Sequence, residues 1–389
     1  MHKSAGLLVV LALWAVVAAA RAADKPDFFA PRAGMDADTA LYLDAWTGDA
    51  NAVERLRTRL SQVPAPANAY DDWSYLCDFE NHTAQYTKAI ADCKKAIALN
   101  SGGGEAETLV VVKLLQHQPP PHAYGSARVP VTPGVRVPVK AGGYAGPALA
   151  DTGAQISVMM QSVARSAGVK MLAASHRVGS TTASVAGRIG LIPEVKIGDA
   201  VVKNIPVLVL PDAQLTLRDG KETISLPFIL SLYALADFGR IAWLDHDKWL
   251  ALGSAAPPPF PGAVPMVWSP DGIAVPLDGP GGRRAAQFDS GADASYLYAS
   301  GTSILSTAER ASIVKAKRKI GGLGAVVVQE VHRVPQADLT LAGQPLVLKN
   351  LNITGQSETG EAARLGEDVL ATYSAVVFDF KTMTFSVSR

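Results

Sequence analysis

The stretch ALADTGAQISVM, from Ala148 to Met159, has a second version later in the chain: AAQFDSGADASYLY, from Ala285 to Tyr298. Each passes from small or apolar residues into Asp-(Thr/Ser)-Gly-Ala and on towards an apolar run, and Asp151 and Asp289 stand 138 residues apart. One such tetrapeptide reads as a β-turn, because Asp and Gly are common turn residues. Two of them at matching places in a repeated framework constrain the chain far more. VRVPVKAGGYAGPALADTGA leads into the first and IAVPLDGPGGRRAAQFDSGA into the second, each a strand, a Gly-rich turn and a strand that ends in the aspartate. After each motif come a helical segment (SVARSAGV, STAERASIVKA), further strands, and an apolar segment running into a last strand. The text predicts two β-rich lobes, 128–252 and 266–389, joined by a Pro-rich linker, 253–265.

Two carboxylates brought within a few ångströms share one proton, because both cannot ionise cheaply. The ionised member can take a proton from water while the protonated one polarises a carbonyl, with no covalent intermediate. Asp151 and Asp289 are the candidate catalytic pair, and apparent pKa values belong to the pair, so neither is assignable as the acid. Gly153 and Gly291 let each loop turn tightly and approach its twin. Thr152 and Ser290 offer hydroxyls that can bond across to the opposite loop. His246, between Asp245 and Asp247, reads as a turn, and no metal-ligand spacing or nucleophile motif stands out.

On these residues the chain resembles the retropepsin-like aspartic proteases of bacteria, in a two-lobed single-chain form, over roughly 128–389. The resemblance rests on Asp151-Thr152-Gly153-Ala154, on Asp289-Ser290-Gly291-Ala292, and on Leu365-Gly366 before a hydrophobic helix. It implies a mainly β fold and peptide-bond hydrolysis on an extended peptide or protein substrate, without a cofactor or metal. Two lobes in one chain remove the need for a dimer, so a monomer is expected. In the family an apolar–apolar–Gly segment packs behind each catalytic loop. Here Arg364 stands in the first apolar place of one segment, and Ser231 in the Gly place of the other, Ile229-Leu230-Ser231. The resemblance also implies flap hairpins, placed at Val178–Gly187 (Gly179, Ser180, Thr181) and Ile320–Val328 (Gly321, Gly322). Ala154 and Ala292 stand where pepsin-like relatives often carry a hydroxyl, which predicts a raised dyad and a mildly acidic optimum. The rival reading is a non-catalytic peptide-binding module that keeps the fold and recruits a partner.

The first 22 residues, MHKSAGLLVVLALWAVVAAARA, combine Lys3, an apolar run and a small-x-small site, as a secretory signal peptide does. The run is shorter than the roughly 20 residues of a membrane span, so a secreted, periplasmic chain without a span is expected. Without Lys3 and Arg21, 34 basic residues face 35 acidic ones, and no basic run points to nucleic acid. From 36 to 117 the pattern is helical, and 118–127 reads as a linker. DDWSYLCDFENHTAQYTKAIADCKKAIALN resembles one tetratricopeptide repeat, with Trp73, Leu76, Ala89 and Ala96 on its spacing. That resemblance turns Cys77 and Cys93 towards one helix–helix interface, as a disulfide in an oxidising compartment or as two buried thiols. A small all-α region of this kind can bind a partner protein, support the β domain or act as a propeptide.

Overall fold

The computed structural model describes residues 27–62, 69–179, 184–219, 222–322, 325–357 and 360–389, so the expected signal segment lies outside the described residues. Among the described residues five helices come first: α1 (Ala37–Ala45), α2 (Ala50–Leu60), α3 (Ala69–His82), α4 (Tyr86–Leu99) and α5 (Glu105–Leu115). The side chains of Asp36 and Asp49 accept hydrogen bonds from the N–H groups of Thr39 (2.9 Å) and Ala52 (2.8 Å), which caps α1 and α2. Along α2 the apolar residues Val53, Leu56 and Leu60 recur every three or four positions and are buried together. Helices α3 and α4 pack through Trp73, Leu76, Ala89 and Ala96, all buried, and Cys77 and Cys93 are joined by a disulfide between them.

The rest is β-rich, in agreement with a mainly β fold preceded by a small helical region. In the first eight-stranded sheet, Tyr144–Asp151 lies between Arg136–Ala141 and Phe228–Ser231. The Phe228–Ser231 strand is parallel to it, with Ile229 opposite Leu149, Leu230 opposite Ala150 and Ser231 opposite Asp151. The second eight-stranded sheet repeats the arrangement. There Gly282–Phe288 lies between Gly272–Gly279 and the parallel strand Ala363–Leu365, with Gln287 opposite Arg364 and Phe288 opposite Leu365. A six-stranded sheet draws strands from both halves of the chain. At its centre Arg240–Leu244 runs antiparallel to Ala375–Asp379, and Arg240 Nε lies 2.8 Å from Asp379 Oδ2. Phe288, just before Asp289, packs edge-on at 5.0 Å against Phe378 of this sheet, so the strand leading into the Asp289 loop rests on its apolar face.

Three local expectations change. In STAERASIVKA only Thr307–Ala311 is helical, started by a Ser306/Glu309 capping box, and a strand begins at Val314, where β-branched residues and alternating charges take over. The stretch 118–127 carries a strand, His122–Tyr124, laid along Val201–Lys203. The Pro-rich stretch 253–265 ends in Val264–Pro265, which pairs with Thr384 and Phe385.

The helical region is built into the β body. Trp268 N–H donates to Trp46 O (2.8 Å), and His82, Tyr233, Trp268 and Phe380 stack in series at 4.1, 5.1 and 5.7 Å. A second apolar cluster joins Tyr86 of α4 and Val112 and Leu115 of α5 to Leu172, Ile189 and Ile229 of the first sheet. Among the described residues no helix is long and apolar enough to cross a membrane.

Candidate active site

Asp151 ends its strand, Asp289 directly follows Gly282–Phe288, and each opens a tight turn; the two turns are tied together by their second residues. Thr152 N–H donates to Ser290 Oγ (3.0 Å) and Ser290 N–H to Thr152 Oγ1 (2.9 Å). Each hydroxyl then donates across to the opposite strand, Thr152 Oγ1 to Phe288 O (3.0 Å) and Ser290 Oγ to Ala150 O (2.6 Å). All four bonds are buried, where an unpaired donor is costly, so the two loops fix each other in position.

The glycines show how close the carboxyls lie. Gly153 N–H donates to its own Asp151 Oδ1 (2.8 Å), while a Cβ added to Gly153 would sit 2.3 Å from the Asp289 carboxyl carbon. Reciprocally, Gly291 N–H donates to Asp289 Oδ1 (3.0 Å), and a Cβ on Gly291 would sit 2.5 Å from the Asp151 carboxyl carbon. Each carboxylate therefore occupies the space that a side chain on the other loop would need. Burial, and then the neighbouring Asp289 carboxylate, push the Asp151 carboxyl well above the ordinary carboxylate range. Ala154 and Ala292 offer no side-chain hydrogen bond, and their N–H groups close the turns onto Asp151 O (3.4 Å) and Asp289 O (3.1 Å). Their carbonyls accept from Leu232 N–H (3.0 Å) and Glu367 N–H (2.8 Å). Each contact thus has its counterpart across an approximate two-fold relation.

That relation fails in two places. At Gly366 a Cβ would lie 2.7 Å from Ala292 O, so only glycine fits. In the matching place Ser231 is buried without conflict: Ser157 Oγ accepts from Ser231 N–H (3.2 Å) and donates to Ser231 Oγ (3.1 Å). The second break is Arg364. It lies opposite Gln287, as Ile229 lies opposite Leu149, and its Nη1 donates to Asp289 Oδ2 at 3.0 Å. From sequence Arg364 was only a misfit in an apolar slot. Its signal was there, a charged residue in a place where its counterpart is Ile229, but its partner depends on strand register. Two amides carry no sequence signal of their role: Gln155 Nε2 donates to Pro270 O, and Gln287 Nε2 to Asp271 O.

The hairpin positions lie at strand ends. Gly179 pairs with Ser184 at the end of Lys170–Gly179, while Ser180 and Thr181 lie outside the described residues. Gly321 pairs with Val326 and Gly322 with Ala325. The strand Val314–Gly322 reaches the Asp289 loop through Arg318, 3.2 Å from Asp293 Oδ1 and 4.9 Å above the Tyr296 ring. The strand Lys170–Gly179 is held from the helical region, where Glu107 Oε2 accepts from Arg177 N–H (3.1 Å). His246 lies in a left-handed turn with Asp245 and Asp247, with its Nδ1 3.0 Å from Ala371 O. Among the described residues, no three His, Cys, Asp or Glu side chains converge as a metal site requires.

Residues 137–226 match the family model described as aspartyl protease, a span that contains Asp151 and its loop and ends before Asp289. No curated protein sequence matches the chain. Among solved structures, the chain is similar to a retropepsin-like aspartic protease from Rickettsia conorii, at 15% identity over 34% of this chain and 91% of that chain. The TM-score of that pair is 0.21, too low to add to the fold described above.

Proposed function

We propose that the chain is an aspartic endopeptidase in which Asp151 and Asp289, one from each repeated half, activate a water molecule against a peptide carbonyl. The observation that carries this is the reciprocal placement of each carboxyl over the other loop's glycine, on turns locked by four buried hydrogen bonds. With one proton on the pair, the ionised carboxylate takes a proton from water as its oxygen bonds to the carbonyl carbon. The protonated carboxyl gives its proton to the carbonyl oxygen, and a neutral gem-diol results. One carboxyl then gives its proton to the amide nitrogen while the other carboxylate takes one from a gem-diol hydroxyl; the C–N bond breaks to leave a carboxylic acid and an amine, and the pair again holds one proton.

The two-lobed frame leaves an extended peptide to lie between the sheets as an added strand, beneath the strand ends at Gly179/Ser184 and Gly322/Ala325. Residues 1–22 act as the signal for secretion to the periplasm, where the Cys77–Cys93 disulfide is stable. The tetratricopeptide-like helices serve as a support for the first sheet and offer their outer surface to a partner protein. A non-catalytic binding module has one observation in its favour, the Arg364 cation that engages Asp289.

Cleavage of an unstructured protein by the mature chain between pH 3 and pH 8 tests the proposal. Asp151→Asn or Asp289→Asn should lower the rate by about 10²–10⁴-fold. Equal cleavage by the variants would remove the aspartic mechanism, and no cleavage by the parent chain at any pH would favour the binding module.

A further inference from the structure

The strand Ala363–Leu365 places one charged side chain where the repeat has an aliphatic one. Arg364 is largely buried, with 18% of its side chain exposed, against 10% for Asp289. Nη1 holds Asp289 Oδ2 at 3.0 Å, Nη2 stands 3.9 Å from Asp271 Oδ2, and the guanidinium lies 5.9 Å from the Tyr296 ring centre. Nε is buried with no hydrogen-bond partner. A buried cation whose hydrogen bonds are this incompletely met is a poor way to gain stability, because an aliphatic residue packs there at no desolvation cost. Ile229 does so in the other half.

We infer that Arg364 is a positioning residue that breaks the symmetry of the dyad, holding the negative charge on Asp289 and leaving the shared proton on Asp151. The inference rests on the proposed endopeptidase reading and deepens it: Asp289 becomes the group that takes the proton from water, and Asp151 the group that protonates the carbonyl oxygen. The charged and titratable groups around Arg364 and Asp289 are few. Asp151 faces them from its own strand, and Asp271 from the turn before Gly272–Gly279. Tyr296 and Tyr298 stand on one side, with Arg318 beyond Tyr296 and spent on Asp293. Burial holds the Tyr298 hydroxyl well above its ordinary range, so it stays neutral.

The sign of the effect is fixed by distance. A cation favours ionised carboxylates, and Arg364 touches Asp289 while it acts on Asp151 only through space. Removing it raises the pH at which the pair loses its first proton more than the pH at which it loses its second, and the active window narrows from its acid side.

The test uses the full mature chain with carbon-13 in its aspartate carboxyls, assigned by Asp151→Asn and Asp289→Asn, and follows both resonances from pH 3 to pH 10. In the parent chain the first proton should leave Asp289. In Arg364→Ile that step should rise by about 1–3 pH units, and Arg364→Lys should bring it back part of the way. The acid limb of kcat/KM should move with it. Resonances that titrate alike in the parent and in Arg364→Ile would overturn the assignment, as would a first proton leaving Asp151. The titration needs no turnover, so a parent chain that cleaves nothing would sink the endopeptidase reading and still leave this one decided.

Discussion

Gly153 and Gly291 do their work by having nothing beyond Cα. A methyl group on either would meet the opposite carboxyl at 2.3–2.5 Å, well inside contact distance. Gly153→Ala and Gly291→Ala should therefore displace the dyad and lower kcat by about 10²-fold or more, since a shift near 1 Å at reacting groups has that effect. A kinetic assay on variants whose circular dichroism matches the parent checks it, and full activity in either would contradict the close approach. The hydroxyls beside them are structural. Thr152→Val would leave Ser290 N–H buried and unpaired, so a loss of about 1–3 kcal/mol is expected in urea unfolding. Thr152→Ser keeps the oxygen and should keep the stability.

Among the elements, α3 carries the most unusual electrostatics. Burial, with Asp71 nearby, pushes the Asp72 carboxyl from an ordinary 3.8 up to about 7, and burial, with Glu105 nearby, does the same to Asp78. A carboxyl raised by folding adds stability that is fully present below its unfolded value and is lost as the pH rises through the folded one. The unfolding temperature should fall between pH 4 and about 7, and Asp72→Asn with Asp78→Asn should flatten that slope in thermal melts followed at 222 nm. A melt that rises with pH over the same range would contradict the burial of these groups. The disulfide between α3 and α4 closes a loop 16 residues apart in sequence, for which chain entropy gives about 3 kcal/mol. Cys77→Ser with Cys93→Ser should lower urea stability by an amount of that order.

For the whole molecule the question is what the helical region is for. Trp268 and Tyr233 stack beneath His82, and Leu172 and Ile189 lie under α4 and α5 in one apolar cluster. Cutting the chain to 118–389 would return such side chains to water at about 1.5–3 kcal/mol for each one fully uncovered. The truncated chain should aggregate or melt well below the parent, as seen by light scattering and calorimetry. Equal stability with higher activity would instead make the helices a removable cover. The same cluster touches Ala154 of the catalytic loop, so loosening the helices should also reach the dyad.

The repeat, the two aspartates, the glycines and the hydroxyls were all legible in the chain. Their chemistry is set by residue type and by spacings of one to three residues, which survive any folding that brings the loops together. Tertiary structure alone decided the rest. Arg364 meets Asp289 across 75 residues because two strands pair in parallel in one register, and a slip of one residue would turn it to the other face. Ser231 is harmless because Ser157, from another strand, answers its polar atoms. The helices' buried face likewise follows from which sheet they met, since an amphipathic pattern marks that a face is buried and carries no address for its partner.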